Sequence, residues 1–349
     1  MVVTSVVLIR LLASRAFNQL RCWTSYALSL CGVVRVRHLP TFVSVEPANF
    51  CQLRCPECPV GMWNQEQRTK SQDSSPSTTP AKTERLMHME VFESVLEQVQ
   101  KTAHTMQFYF QGEPLLNRQL PEMIAKAHQV GLYTIVSTNA QSLTCSTAEA
   151  LVKSGLNRII VSIDGFSEES YAAYRVGGSL QRALEGLKHL SNAKAKYRSR
   201  IRIELQVLRL KTNEHEWQWI RKNYKQLGAT HLVFKTAQLY DYEHGHALMP
   251  SQAKYSRYRL TKDGTYRLHA SWLRRHWVNT PCYRLWSGCV VTTTGQVLPC
   301  CYDKAAQHAL GTLAQSTFAD IWFGKKADDF RGSVLKKGNR IAICQSCNH

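Results

Sequence analysis

The sequence predicts an α/β fold, a partial (β/α)6 barrel followed by a small cysteine-rich unit, and three observations carry this. From residue 41 onward short apolar, β-branched runs alternate with longer segments of helical period, the pattern of a parallel sheet with crossover helices. Six such runs occur, fewer than the eight that close a barrel. Residues 281–349 hold six of the twelve cysteines at short spacings.

The six runs are Thr41 to Glu46, Met106 to Gln111, Leu132 to Ser137, Arg158 to Asp164, Ile201 to Leu208 and His231 to Thr236. Helices are expected near 89–104, 118–129, 146–154, 168–192 and 214–226, and right-handed connections curl these units into an open barrel spanning 38–240. A polar, Ser/Thr/Pro-rich stretch near 64–84 reads as a mobile insertion, and 241–280 as an irregular bridge. In the C-terminal unit, 281–349, Val290 to Thr293 and Gln296 to Leu298 flank a Thr-Gly turn, which predicts a hairpin.

Residues 1–37 form a basic amphipathic segment. Ile9, Leu12, Ala16, Leu20, Trp23 and Ala27 recur at helical spacing, while Arg10, Arg15 and Arg21 interrupt the segment before the ~20 apolar residues a membrane span needs. The stripe is expected to dock on the body, with peripheral membrane contact as the alternative.

With 44% hydrophobic residues over 349 positions the chain can bury a full core, which argues against disorder as its default. Lys plus Arg outnumber Asp plus Glu 44 to 25, a formal charge of +19 that suits an acidic peptide, nucleic acid or an anionic membrane surface. No RNA-binding module is recognised, so nucleic acid is the less favoured partner. The twelve cysteines follow no recognisable secretory signal and cluster like metal ligands, which points to a reducing, cytoplasmic setting. Cys22, Cys31 and Cys145 lie outside the clusters and read as small buried hydrophobes.

Directly after the first strand, CQLRCPEC places Cys51, Cys55 and Cys58 in a C-x3-C-x2-C loop. Three thiolates can hold three irons of a cubane cluster and leave the fourth open, whereas structural zinc prefers four protein ligands. Polar groups stand at the ends of the following strands: Gly112-Glu113-Pro114, then Ser137-Thr138-Asn139, then Ser162 to Gly165 with Asp164. Taken singly, these are ordinary turns and helix caps. At the rim of a parallel barrel they are where ligands bind. Gln206 and Lys235 near the ends of the fifth and sixth strands are candidates for the same cavity, and His244 and His246 read as an exposed loop pair. The second cysteine group comprises Cys282, Cys289, Cys300, Cys301, Cys344 and Cys347, whose spacing suits an iron–sulfur cluster or zinc.

The first loop, within SVEPANFCQLRCPECPVG, resembles the motif of the radical S-adenosylmethionine (SAM) superfamily, and its peptide-modifying members closely, with Gln52 and Glu57 as mild departures. The second group resembles the SPASM or shorter twitch extension of such enzymes. The resemblance implies a TIM-like partial barrel, a SAM-binding 4Fe-4S cluster on Cys51, Cys55 and Cys58, and one auxiliary 4Fe-4S cluster on Cys282, Cys300, Cys344 and Cys347, with Cys289 or Cys301 as alternates. It further implies Gly112, Glu113 and Pro114 at the methionine ammonium, Ser137, Thr138, Asn139, Ser162, Asp164 and Gln206 around SAM, and Arg175 at its carboxylate. In sulfatase-maturing relatives an acid directly follows a hairpin cysteine and acts as base; Cys301 stands there, leaving Asp303 as a weak substitute. A peptide or protein substrate and an electron donor such as flavodoxin or ferredoxin are the partners implied.

Overall fold

The computed structural model describes residues 5–72, 85–268, 282–337, 341–345 and 347. Helix α1 (Ser5–Ser29) precedes the barrel. Strand β1 (Phe42–Val45) leads through the cysteine loop into α2 (Pro59–Gln72), so helix runs well into the stretch read as a mobile insertion, whose remainder, 73–84, lies outside the described residues. Helix α3 (Met89–Val99) buries Phe92, Val95, Leu96 and Val99, the i, i+3, i+4, i+7 stripe of a core-facing helix. The barrel continues with β2 (Thr105–Phe108), α4 (Leu120–Gln129), β3 (Tyr133–Thr138), α5 (Cys145–Lys153) and β4 (Arg158–Ser162). It ends with α6 (Glu168–Tyr174), α7 (Leu180–Lys196), β5 (Arg202–Arg209), α8 (Trp217–Asn223) and β6 (His231–Thr236). The single helix expected over 168–192 is two helices, broken at Arg175–Ser179 around Gly177 and Gly178.

Strands β1 to β6 pair in parallel in sequence order, as the alternating pattern requires. Short apolar strands buried on both faces, such as β4 with Ile159, Ile160 and Val161, fit this topology. The expected hairpin forms as β9 (Gly288–Val291) and β10 (Gln296–Leu298), but it is not a separate layer. Strand β9 pairs in parallel with the free edge of β1, matching Phe42 with Gly288 and Val45 with Val291, so the cysteine-rich unit extends the barrel sheet to nine strands, β11 (Gly311–Thr312) being outermost. The stretch expected to be an irregular bridge holds a small antiparallel hairpin, β7 (Tyr258–Leu260) and β8 (Tyr266–Leu268), which short segments without clear period concealed. Its end, 269–281, lies outside the described residues.

Helix α1 corrects an expectation. It docks on the body with its polar face: Arg15, Asn18, Cys22, Ser25 and Ser29 are buried, while Leu12, Leu20 and Trp23 of the apolar stripe are each more than half exposed. The Arg15 guanidinium donates to Gln100 O (3.0 and 2.7 Å), Val130 O (2.6 Å) and Gly131 O (2.8 Å), the otherwise orphaned carbonyls at the C-terminal ends of α3 and α4. Asn18 bridges Leu39 and Thr102. Cys22 is buried as expected, but Cys31 and Cys145 are exposed.

Candidate active site

Successive strand ends bring a polar ring to one rim. A cavity of about 310 Å³ there is lined by Cys51, Cys55, Cys58, Gly112, Glu113, Ser137, Thr138, Asn139, Ser162 and Arg175. Pro114 and Gln206 do not line it: Pro114 opens the turn Pro114–Leu116, and Gln206 stands behind Ser162, its amide 3.5 Å from the Ser162 hydroxyl.

The loop's geometry follows from close backbone contact. Gly112, with φ +66°, lies so near the first loop that a Cβ there would meet Ala48 O at 2.4 Å and Phe50 N and O at 2.7 Å, and Glu113 N donates to Phe50 O at 2.8 Å. Glu113 is thereby held against the cysteine loop. Its carboxylate accepts from Thr138 Oγ1 (2.6 Å), Asn139 N (2.8 Å) and Leu115 N (3.1 Å), and burial pushes its pKa up. These bonds orient the carboxylate and leave about one acceptor position, on Oε2, for a ligand. The Asn139 amide donates to Cys51 Sγ at 3.3 Å. Burial, and next the Glu113 carboxylate, push the Cys51 thiol up to about 12.

Arg175 and Asp164, both expected at SAM, are paired with each other, and of the two only Arg175 lines the cavity. Arg175 Nη2 lies 2.6 Å from Asp164 Oδ2, while Asp164 Oδ1 accepts from Leu208 N. The Arg175 Nε is buried without a hydrogen-bond partner, and its Nη1 is 4.0 Å from Cys55 Sγ. The guanidinium thus has spare donor capacity at the cavity wall.

Glu57, a departure from the family motif, ties the loop down: its Oε2 accepts from Tyr240 N (2.7 Å) and its Oε1 is 3.1 Å from His246 Nε2. His246 is therefore half-buried and anchored, not an exposed loop residue, whereas His244 is exposed. The pairing of a loop Glu with a His far along the chain left no local signal.

A second, larger cavity of about 1510 Å³ shares Pro59, Gln238, Tyr240 and Lys304 with the first and reaches Cys300 and Cys301. Lys235, Arg257 and Arg284 also line it. Lys304, overlooked in the sequence, stands between the cavities with its ammonium donating to Phe110 O at 3.1 Å and 4.2 Å from the Phe110 ring centroid. Burial pushes its pKa down.

The second cysteine group gathers around this chamber. Cys282 lies within electrostatic reach of Cys300, Arg284 Nη1 is 3.3 Å from Cys301 Sγ, and the hydrogen bond from Cys300, then Arg284 and Lys304, hold the Cys301 thiol below its ordinary value. Cys344 flanks the chamber-lining Ile343, and Cys347 is buried within reach of Tyr302. Cys289 sits in β9, buried in the core and at the chamber wall, and the charge it feels is that of Arg331. Asp303 is buried at the chamber wall, and each of its oxygens accepts a backbone amide, from Gln307 and His308 at 2.9 Å, so it shapes the loop after β10. Among the described residues no group of three or more His, Cys, Asp or Glu converges as a ready-made ion site; Cys51, Cys55 and Cys58 line the smaller cavity and Cys289, Cys300 and Cys301 the larger one.

A radical SAM superfamily model matches residues 45–203, and a SPASM model, an iron-sulfur cluster-binding domain, matches 282–348. The chain belongs to the radical SAM superfamily, with a C-terminal SPASM domain. Members of that superfamily use a 4Fe-4S cluster and SAM, and a SPASM domain implies auxiliary iron–sulfur clusters. The chain is 25% identical over 328 residues to a PqqA peptide cyclase of Xanthomonas campestris, spanning 88% of this chain and 79% of that one. It is also 25% identical over 143 residues to the Fe-coproporphyrin III synthase of Methanosarcina barkeri, but spans only 36% of that relative's length. In fold this radical SAM enzyme is similar to Streptococcus suis SuiB, at TM-scores of 0.63 for its complex with S-adenosylmethionine and 0.60 for its complex with precursor peptide SuiA. Identity is 12% in both, with coverage of 93% of this chain and 76% and 73% of SuiB. No described helix is long and apolar enough to cross a membrane.

The donor set fits the implied groups. Three thiols share one cavity with a backbone cradle at Gly112 that any Cβ would fill, and the buried, unpartnered Arg175 Nε suits a carboxylate.

Proposed function

We propose that this radical SAM enzyme modifies a peptide or protein substrate. The larger chamber carries the reading: at about 1510 Å³ it exceeds the ~300–1,000 Å³ of ordinary small-ligand sites, it adjoins the smaller cavity, and its charged lining is mixed, Lys235, Arg257, Arg284 and Lys304 beside Glu66, Asp241, Glu243 and Asp303, as suits a polar chain. A relative that aligns over 88% of the chain, a PqqA peptide cyclase, and a fold neighbour bound to its precursor peptide support it.

In this proposal Cys51, Cys55 and Cys58 hold the first cluster in a barrel core of about 38–240. Glu113 and the backbone at Gly112 receive the SAM ammonium, Arg175 its carboxylate, and Ser137, Thr138, Asn139 and Ser162 the remaining polar edge. Cys282, Cys300, Cys344 and Cys347, within 281–349, hold an auxiliary cluster, with Cys301 replacing a member more readily than core-bound Cys289. When bound, cluster and SAM supply reductive C–S cleavage and hydrogen abstraction from substrate. The chain's own part is positional: Glu57 clamps the loop to Tyr240 and His246, and Lys304, between the two cavities, presents a positive group to an anionic substrate. The electron donor is a flavodoxin or ferredoxin, and the cytoplasm is the setting that keeps the cysteines reduced.

Anaerobically reconstituted enzyme with dithionite should cleave SAM, and each of Cys51→Ala, Cys55→Ala and Cys58→Ala should abolish this. A small-molecular-mass extract of the source cells should stimulate 5′-deoxyadenosine formation. Loss of the stimulation after protease treatment supports a peptide; survival of protease with loss to ribonuclease makes the substrate RNA, and survival of both makes it a small molecule.

A further inference from the structure

The outward face of α1 has no role in the chemistry above. Over Arg10–Ser29 the helix steps about 100° per residue, so Leu12, Ala16, Leu20, Trp23 and Ala27 form one stripe pointing away from the body. The polar face is already committed, because Arg15 is locked onto four backbone acceptor contacts and Asn18 onto Leu39 and Thr102. The helix therefore cannot roll to hide the stripe without breaking buried, charge-assisted hydrogen bonds.

Charge selects what covers it. Five arginines and no Asp or Glu precede Glu46. Of these, Arg10 and Arg21 are exposed on the flank of the stripe, with Arg21 stacked 5.0 Å over the exposed Phe17 ring; just beyond the helix Arg37 is exposed, as is Arg35, which lies 3.7 Å from Asp328. An apolar stripe with an amphipathic indole, long cationic side chains able to reach upward beside it, and no acid is the pattern of a helix lying in the plane of a lipid interface. A protein partner would call for acids opposite the arginines; a bilayer bearing acidic headgroups supplies them as well as the apolar phase. We propose that α1 is a monotopic anchor that seats this enzyme on an anionic membrane surface, through Leu12, Leu20 and Trp23 in the acyl boundary and Arg10 and Arg21 at the headgroups.

The test uses the full chain and sedimentation with vesicles of phosphatidylglycerol and phosphatidylcholine, against phosphatidylcholine alone. Binding should favour the anionic vesicles and fall with salt. Leu20→Ser with Trp23→Ser should weaken it at least about tenfold, the factor that about 1.4 kcal/mol represents. Arg10→Gln with Arg21→Gln should reduce the preference for anionic lipid while leaving the stripe intact. Circular dichroism melts of both double variants should match wild type, since none of these side chains is buried. Absence of vesicle binding by the wild type, or binding untouched by Leu20→Ser with Trp23→Ser, overturns the proposal. So does a dimer in vesicle-free sedimentation that this variant dissolves while wild type ignores vesicles, which would make a second copy the occupant.

Discussion

Replacing Gly112 by Ala tests how tightly the SAM rim is assembled, and its size can be worked from two glycines. Gly264 has φ +81° with nothing within 4 Å of an added Cβ, so Gly264→Ala carries only the left-handed backbone penalty of about 1–2 kcal/mol. Gly112 has φ +66° and carries that penalty too, but its Cβ also meets three backbone atoms of Ala48 and Phe50 at 2.4–2.7 Å. Backbone cannot swing aside as a side-chain tip can, so overpacking adds about 1–3 kcal/mol. Gly112→Ala should therefore lower unfolding free energy by about 2–5 kcal/mol, read from urea midpoints of the apo chain, and Gly264→Ala by about 1–2. Relief can come only by moving Glu113 away from the cysteine loop, so SAM affinity measured by equilibrium dialysis should drop for Gly112→Ala and hold for Gly264→Ala. Equal destabilisation by the two variants would refute the close-approach argument.

Asp164→Ala leaves the Arg175 charge and Leu208 N–H buried without their partner, and should cost about 3–5 kcal/mol in chemical denaturation. His38 is held neutral: burial first, then Arg331 and Arg21, lower its pKa from 6.5 to about 4. Because the folded value lies below the unfolded one, its contribution is complete above pH 6.5, is lost as pH falls from 6.5 to about 4 and is level below that, on the order of 3 kcal/mol in all; the wild-type stability curve should diverge from that of His38→Gln in this window alone. Arg15→Met should leave the α3 and α4 carbonyls unpaired and release α1, seen as faster proteolysis within Ser5–Ser29 while the barrel stays protected.

The parallel order β1 to β6 was legible because strands buried on both faces have to be apolar runs and the crossovers have to show helical period. The first cysteine loop was legible because its three cysteines are neighbours in sequence. Pairings between distant segments were not. Arg175 and Asp164 both looked like ligand contacts, and only the fold brings their charges to 2.6 Å. Asp303 stood out only through the resemblance, as a weak substitute for a base, and the turn of the loop that brings the Gln307 and His308 amides to its two oxygens had no local signal. The hairpin β9–β10 was visible from its turn, but its pairing with β1 was not, since a strand's partner is set by which sheet edge stays open.

Helix α1 shows why period gives a stripe and not a direction. Inward burial of Leu12, Leu20 and Trp23 would gain about 1.5–3 kcal/mol each. The surface that α1 covers, however, presents the carbonyls of Leu39, Gln100, Thr102, Val130 and Gly131. Covered by an apolar face, these acceptors would be cut off from water at about 1–3 kcal/mol apiece, which equals or exceeds the gain. A polar face bearing one arginine and one asparagine satisfies all five and leaves the apolar gain to be collected elsewhere. The orientation of α1 is thus decided by helix ends on the barrel, and the same choice that hides Arg15 is what leaves a hydrophobic stripe for a bilayer to cover.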